Sequence, residues 1–320
     1  MNEIALMLML ITGGLALLYV GANGLVSGSA SLALRMRISP LVVGLTIVSF
    51  GTSAPELLVS LSANLKNQGG VAVGNVIGSN IFNIALILGL CSVIRPIQIE
   101  SRLIRQDIPV LFGATALFYF ALNDRMFTRT EGAVLFGAIL AYTIITVRLA
   151  LQHQHDDVAA REFEQELKPH TTPLWRDIAW IVGGLVLLVF GSDLLVEGAT
   201  RLALRLGISE VVVALTVVAG GTGLPELATS LVAALKKESD IAVGNIVGSN
   251  IFNTLCIPGL TALIMPLSAP GIHPVNLWFM VLATLILLPL MLSGKQISRF
   301  EGSLLVGMYA GFLVIQIQMA

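Results

Sequence analysis

Residues 21–83 align without a gap onto residues 191–253 at a constant offset of 170, and 35 of the 63 aligned positions are identical. The stretch from Gly74 to Asn83 (GNVIGSNIFN) returns from Gly244 to Asn253 with two aliphatic exchanges. Agreement of that length marks an internal duplication, so the two copies must share one architecture.

The copies are too apolar for water. Of 320 residues, 56% are hydrophobic and 12% charged, with a mean hydropathy of +0.89; soluble domains carry roughly 25% charged residues. Runs long enough to span a bilayer, about 20 residues each, recur near 4–28, 40–64, 71–95, 107–123, 131–151, 177–200, 210–235, 241–265, 276–293 and 302–319. The expectation is an all-α membrane protein of ten transmembrane helices. The offset covers five runs, an odd number, so the second copy crosses the membrane in the opposite direction. Two inverted five-helix repeats follow: 1–151, with its duplicated core near 40–96, and 177–320, with its core near 210–266. Inverted repeats characterise secondary transporters, whose ion sites lie near the bilayer midplane where the copies meet.

Residues 152–176 form a polar linker in which 157–167 could be a short surface helix. Its His-Gln-His-Asp-Asp run reads as a solvated connector rather than a regulatory cation site. Thirteen of the eighteen Lys and Arg residues fall in or beside the segments after odd-numbered runs. That bias places the linker in the cytoplasm of a multi-pass cell-membrane protein, with both termini outside. The start, Met1-Asn2-Glu3, lacks the basic region of a cleaved signal peptide, so the first run is expected to remain as a helix. A net charge of −1 implies no nucleic-acid partner. Cys91 and Cys256 lie inside apolar runs and read as small core residues, not as a disulfide or metal pair.

Polar groups at bilayer depth are costly and therefore point to function. The second run contains Ser49-Phe50-Gly51-Thr52-Ser53-Ala54-Pro55-Glu56, and the seventh Ala219-Gly220-Gly221-Thr222-Gly223-Leu224-Pro225-Glu226. Each proline removes a helix hydrogen bond to the glycine four residues back, Gly51 or Gly221, so each run should break beside its glutamate. No lysine or arginine occupies either run to pair with Glu56 or Glu226. Carbonyl, hydroxyl and carboxylate oxygens gathered in this way suit hard cations such as calcium and sodium. Asn75, Ser79 and Asn83 share one helical face, as do Asn245, Ser249 and Asn253. Ser79, Asn83, Ser249 and Asn253 read as ligands; Asn75 and Asn245 read equally as ligands or as helix glue. Asp193 and Glu197, in register with Asn23 and Ser27, read as packing or interface residues, and His273 as an exposed loop residue.

These duplicated motifs, Gly-Thr-Ser-Ala-Pro-Glu with Gly-Asn-Val-Ile-Gly-Ser-Asn-Ile-Phe-Asn, resemble the two alpha repeats of the calcium/cation antiporter superfamily, closest to its microbial sodium/calcium exchangers. The resemblance covers essentially the whole chain. It implies ten helices, alternating access, transported Ca2+ and Na+ with no cofactor, and a diamond of ion sites around the two glutamates. By motif position Glu56, Thr52, Ser53, Ser79, Asn83 and the Ser49 carbonyl would serve from the first repeat. Glu226, Thr222, Ser249, Asn253 and the Ala219 carbonyl would serve from the second. A monomer would suffice, with the lipid bilayer as its partner.

Two departures matter. Gly223 stands where the family's second repeat has serine, although Ser53 at the equivalent position implies that a hydroxyl could be accommodated. Asn253 stands where those exchangers can carry aspartate. Two carboxylates remain, enough to neutralise one calcium, and the lost oxygens argue against three occupied sodium sites. The alternatives are proton- or potassium-linked exchange and, from other classes, a membrane metal-dependent enzyme or a channel. The chain has no intramembrane histidine, no His-Glu-x-x-His and no nucleophile elbow. Paired buried carboxylates suit alternating access better than a continuous pore.

Overall fold

The computed structural model describes residues 3–152, 173–207 and 219–319. Its helices are α1 (Glu3–Met36), α2 (Pro40–Thr52), α3 (Ala54–Leu65), α4 (Gly69–Ile94), α5 (103–121) and α6 (Arg129–Gln152) in the first half. The second half has α7 (Leu174–Arg205), α8 (Ala219–Gly221), α9 (Leu224–Leu235), α10 (Ser239–Ile264), α11 (Pro274–Leu292) and α12 (Arg299–Met319). Each second-half helix corresponds to the one six labels earlier, at the offset read from the sequence.

Among the described residues, seven helices are singly long and apolar enough to cross a membrane, and α2 with α3 makes an eighth span bent by 42°. The expected count of ten is therefore not reached on length alone. The α-helical part of α5, Ile108–Ala121, has only 14 residues, and the start of the seventh run, 210–218, lies outside the described residues. The linker helix expected at 157–167 lies outside them too.

The two longest helices, α1 and α7, pack along each other through facing glycines. A Cβ on Gly14 would sit 2.8 Å from the Gly191 carbonyl oxygen, and one on Gly21 would sit 2.8 Å from that of Gly184. Small residues on both sides let the backbones touch, which is how helices associate where lipid offers no hydrophobic contrast. Both ends of the pair are tied by ion pairs from equivalent arginines to non-equivalent acids, Arg35 to Asp177 at 2.9 Å and Arg205 to Glu3 at 2.7 Å.

The rest of the scaffold interlocks by exchange between the halves. Thr128 and Glu131 form a capping box at the start of α6, and Ser298 with Glu301 repeats it at α12, satisfying amides that a helix start leaves open. Arg129 then donates to the Ile264 carbonyl at 3.4 Å, and Arg299 to the Ile94 carbonyl at 3.5 Å. Each arginine thus closes the C-terminal end of α10 or α4 in the opposite half.

Two short β ladders accompany the helices. β1 (Ile97–Gln98) pairs antiparallel with β4 (Gln296–Ile297), and β2 (Met126–Phe127) with β3 (Leu267–Ser268). Two residues per strand are too few to leave a period in the sequence. Cys91 and Cys256 are buried and unbonded to each other. His273 is exposed and caps α11, its Nδ1 accepting from the Val275 amide at 3.3 Å.

Candidate ion-binding site

Both glutamate-bearing spans break where the prolines require it. The backbone leaves helical geometry at Ser53 (φ −84°, ψ 4°) and at Gly223 (φ −82°, ψ 0°), and Pro55 and Pro225 sit in the first turn of the helices that follow. The carbonyl freed by Pro225 is that of Gly221, and the Ser192 hydroxyl of α7 donates to it at 2.6 Å.

The glycines beside the breaks make room for a neighbouring helix. A Cβ on Gly51 would meet Leu185 at 2.7 Å, and one on Gly221 would meet Val196 at 2.6 Å. They give the breaks clearance against α7, on the side of the long helix pair.

The breaks put Glu56 and Glu226 in the first turns of α3 and α9, 1% and 0% exposed. The carboxylates are close enough to interact electrostatically, and among the described residues no basic side chain bonds either of them. Ser53 Oγ crosses from the first repeat to donate to Glu226 Oε1 at 2.9 Å. Thr52 also faces Glu226, and Thr222 faces Glu56, although Thr222 Oγ1 completes no hydrogen bond. Ser249 Oγ donates to the Ser49 carbonyl at 3.4 Å, an oxygen that also lies 3.3 Å from Thr52 Oγ1.

The helices are crossed so that each repeat supplies half of the pocket. The turn of α4 that carries Asn83 (Phe82–Leu88, a π-helical segment) packs on α9, and α10, with Ser249 and Asn253, packs on α2 and α3. Asn83 and Asn253 are buried with neither amide atom bonded, and Glu56 Oε2, Glu226 Oε2 and Thr222 Oγ1 are also buried without partners. A buried polar atom left unpaired costs on the order of 1–3 kcal/mol, and native proteins rarely gather several of them. These atoms fit a group that arrives from outside the chain. Ser79 is buried on the same face of α4. Ala219 begins α8, directly after the residues that are not described.

Asn75 and Asn245 brace the breaks. Asn75 Nδ2 donates to the Glu56 carbonyl at 3.1 Å and to Ser60 Oγ at 3.0 Å. Asn245 repeats this toward Glu226 and Ser230, and its Oδ1 accepts from Thr52 Oγ1 at 3.1 Å. Ser192 was not singled out by sequence reasoning; the only available signal was a hydroxyl, at the position equivalent to Ala22, in an otherwise apolar span.

Gly223 corrects an expectation. Its backbone angles match those of Ser53, so conformation does not demand glycine there. Space does. A Cβ at 223 would lie 2.7 and 2.8 Å from ring carbons of Phe82. In the other half the equivalent ring, Phe252, packs tilted against Phe50 at 4.8 Å between centroids. Gly220 replaces Phe50 in the second repeat, and Phe82 settles over the Gly220–Gly223 turn, edge-on to Tyr309 at 5.7 Å. A hydroxyl is therefore not accommodated at 223 unless Phe82 moves.

Comparison with known proteins gives consistent findings. The family model described as sodium/calcium exchanger protein matches residues 6–148 and 177–318. The inner membrane protein YrbG of Escherichia coli is 40% identical over 255 residues, covering 79% of this chain and 78% of that protein. The sodium/calcium exchanger MaX1 of Methanosarcina acetivorans is 31% identical over 338 residues, covering 94% and 96%. The solved structure of the sodium-calcium exchanger NCX_Mj soaked without Na+ and Ca2+ superposes with a TM-score of 0.82 at 31% identity, covering 99% of each chain.

Proposed function

The chain belongs to the sodium/calcium exchanger family and is a multi-pass membrane cation antiporter, not an enzyme; on that premise we propose that it exchanges Ca2+ for Na+ by alternating access. The observation that carries this reading is the pair of fully buried carboxylates without a basic partner among the described residues, set beside unpaired amide and hydroxyl atoms. Two carboxylates neutralise one calcium ion, and burying them uncompensated would be strongly unfavourable. Calcium takes six to eight oxygens. Glu56, Glu226, Thr52, Ser53, Ser79, Asn83, Thr222, Ser249 and Asn253, with the Ser49 and Ala219 carbonyls, would supply them.

Sodium prefers the same oxygens, so the ions compete for one ligand set. Competition at a site open to one side at a time is what couples their movements. In this reading 1–151 and 177–320 act as the two inverted units, 152–176 connects them in the cytoplasm, both termini lie outside, and one chain suffices.

The test is calcium uptake into proteoliposomes under imposed sodium, potassium and proton gradients. Uptake driven by an outward sodium gradient alone supports the reading. Uptake that ignores sodium and follows protons or potassium would assign a different counter-ion.

A further inference from the structure

The two halves are equivalent in sequence register but not in position, and one difference lies at two lysines. Lys236, just beyond α9, reaches α1, where its Nζ donates to Ser27 Oγ at 2.8 Å and to the Asn23 carbonyl at 3.3 Å. The equivalents at an offset of 170 are Lys66 beyond α3, and Asp193 and Glu197 on α7. Among the described residues Lys66 and Asp193 have no bonded partner, and Glu197 pairs only with Arg201 on its own helix.

The packing agrees. α9 lies along α1 and touches α7, whereas α3 makes no comparable contact with α7. Val59 on α3 is 40% exposed, while its counterpart on α9, Thr229, is 0% exposed. On the long pair, Leu25 and Val26 of α1 are buried, but Leu195 and Val196 of α7 are only half-buried. Among the described residues, one side of the site is therefore covered by α9 on α1, whereas α3 and α7 do not cover the other.

Resting on the alternating-access reading, we infer that Lys66 is a positioning residue which docks on Asp193 and Glu197 to close the opposite-facing state, while Lys236 releases Asn23 and Ser27. Exchange of roles between inverted repeats produces this contact, because the register brings α3 and α7 to the places now held by α9 and α1. The two closures differ in chemistry. Lys236 binds a hydroxyl and a carbonyl, whereas Lys66 would bind two carboxylates, and charge-assisted contacts are the stronger kind. Glu197 would then turn from Arg201 toward Lys66.

The test uses full-length protein in vesicles with Cys91 and Cys256 replaced by alanine. Cysteine pairs are placed at 236 with 27 and at 66 with 197, separately and together, and disulfides are read by mass. Both pairs are expected to form singly, each stopping flux until reduced, and never in the same molecule. Both disulfides in one molecule would overturn the inference, as would a 66–197 pair that never forms in a protein transporting normally when reduced.

Charge is tested separately. A Thr229→Cys protein should react with an impermeant cytoplasmic reagent only while the opposite-facing state is occupied. Lys66→Gln should slow that reaction about two- to fivefold, the range of one exposed ion pair, and Lys66→Arg should restore it. No change with glutamine would overturn the inference. Cross-linking and labelling do not depend on which ion moves, so loss of sodium coupling would sink the exchange reading and leave these results standing.

Discussion

Ser53 Oγ donates to Glu226 Oε1 at 2.9 Å across the repeat interface, and the equivalent position facing Glu56 is Gly223, which has nothing to donate. The two carboxylates are paired by the duplication yet served unequally, because Phe82 occupies the space a second hydroxyl would need.

Serine at 223 is therefore expected to act through Phe82. Gly223→Ser alone should reduce calcium flux several-fold, since the ring must shift to admit the Cβ. Phe82→Ala in the same protein should restore flux and lower half-maximal sodium about fivefold, equivalent to about 1 kcal/mol for one net polar contact. Sodium titration of calcium efflux reads both. An active single variant with unchanged sodium dependence would place residue 223 away from the ion.

Removing either charge should be worse than removing any single neutral ligand. Glu56→Gln and Glu226→Gln keep shape but halve the compensation for a divalent ion, and each should reduce calcium exchange by at least about 100-fold, corresponding to roughly 3 kcal/mol for one lost partner of a buried charge. Either variant transporting near the unmodified rate would contradict the two-carboxylate pocket.

The α1–α7 seam makes a structural prediction independent of ions. Gly21→Val forces side-chain atoms into the Gly184 carbonyl, which a Cβ alone would approach to 2.8 Å. The melting temperature in detergent should fall, with a cost of about 2 kcal/mol typical of overpacking. Val71→Ala, at an exposed position on α4, serves as the control and should melt within a degree of the parent.

Sidedness can be read by labelling. Single cysteines at 160 should react only from the cytoplasm, and those at 2 or 320 only from outside. Termini found on opposite sides would require an odd number of spans and would remove the inverted relation.

Much of this was legible in the residues. Pro55 and Pro225 marked the breaks, and the offset of 170 fixed which helices correspond, because a repeat and a helix-breaking imine are local facts. What sequence concealed depends on three-dimensional neighbours. The clearance that Gly51 and Gly221 give against Leu185 and Val196 is one such case. Gly223 looked able to take a hydroxyl until Phe82 was seen against it. The β ladders are shorter than any readable period. The unequal seating of Lys236 and Lys66 could not be read from the lysines themselves, since both halves carry one; sequence shows only that the residues in register with Asn23 and Ser27 are the acids Asp193 and Glu197.

Calcium binding under rising sodium tests the central claim most directly. Isothermal titration of the purified protein should give one calcium site per chain whose apparent affinity falls steadily as sodium is raised at constant ionic strength, with none of that binding left in Glu226→Gln. Calcium affinity independent of sodium, or retained in the glutamine variant, would contradict a single pocket shared by the two ions.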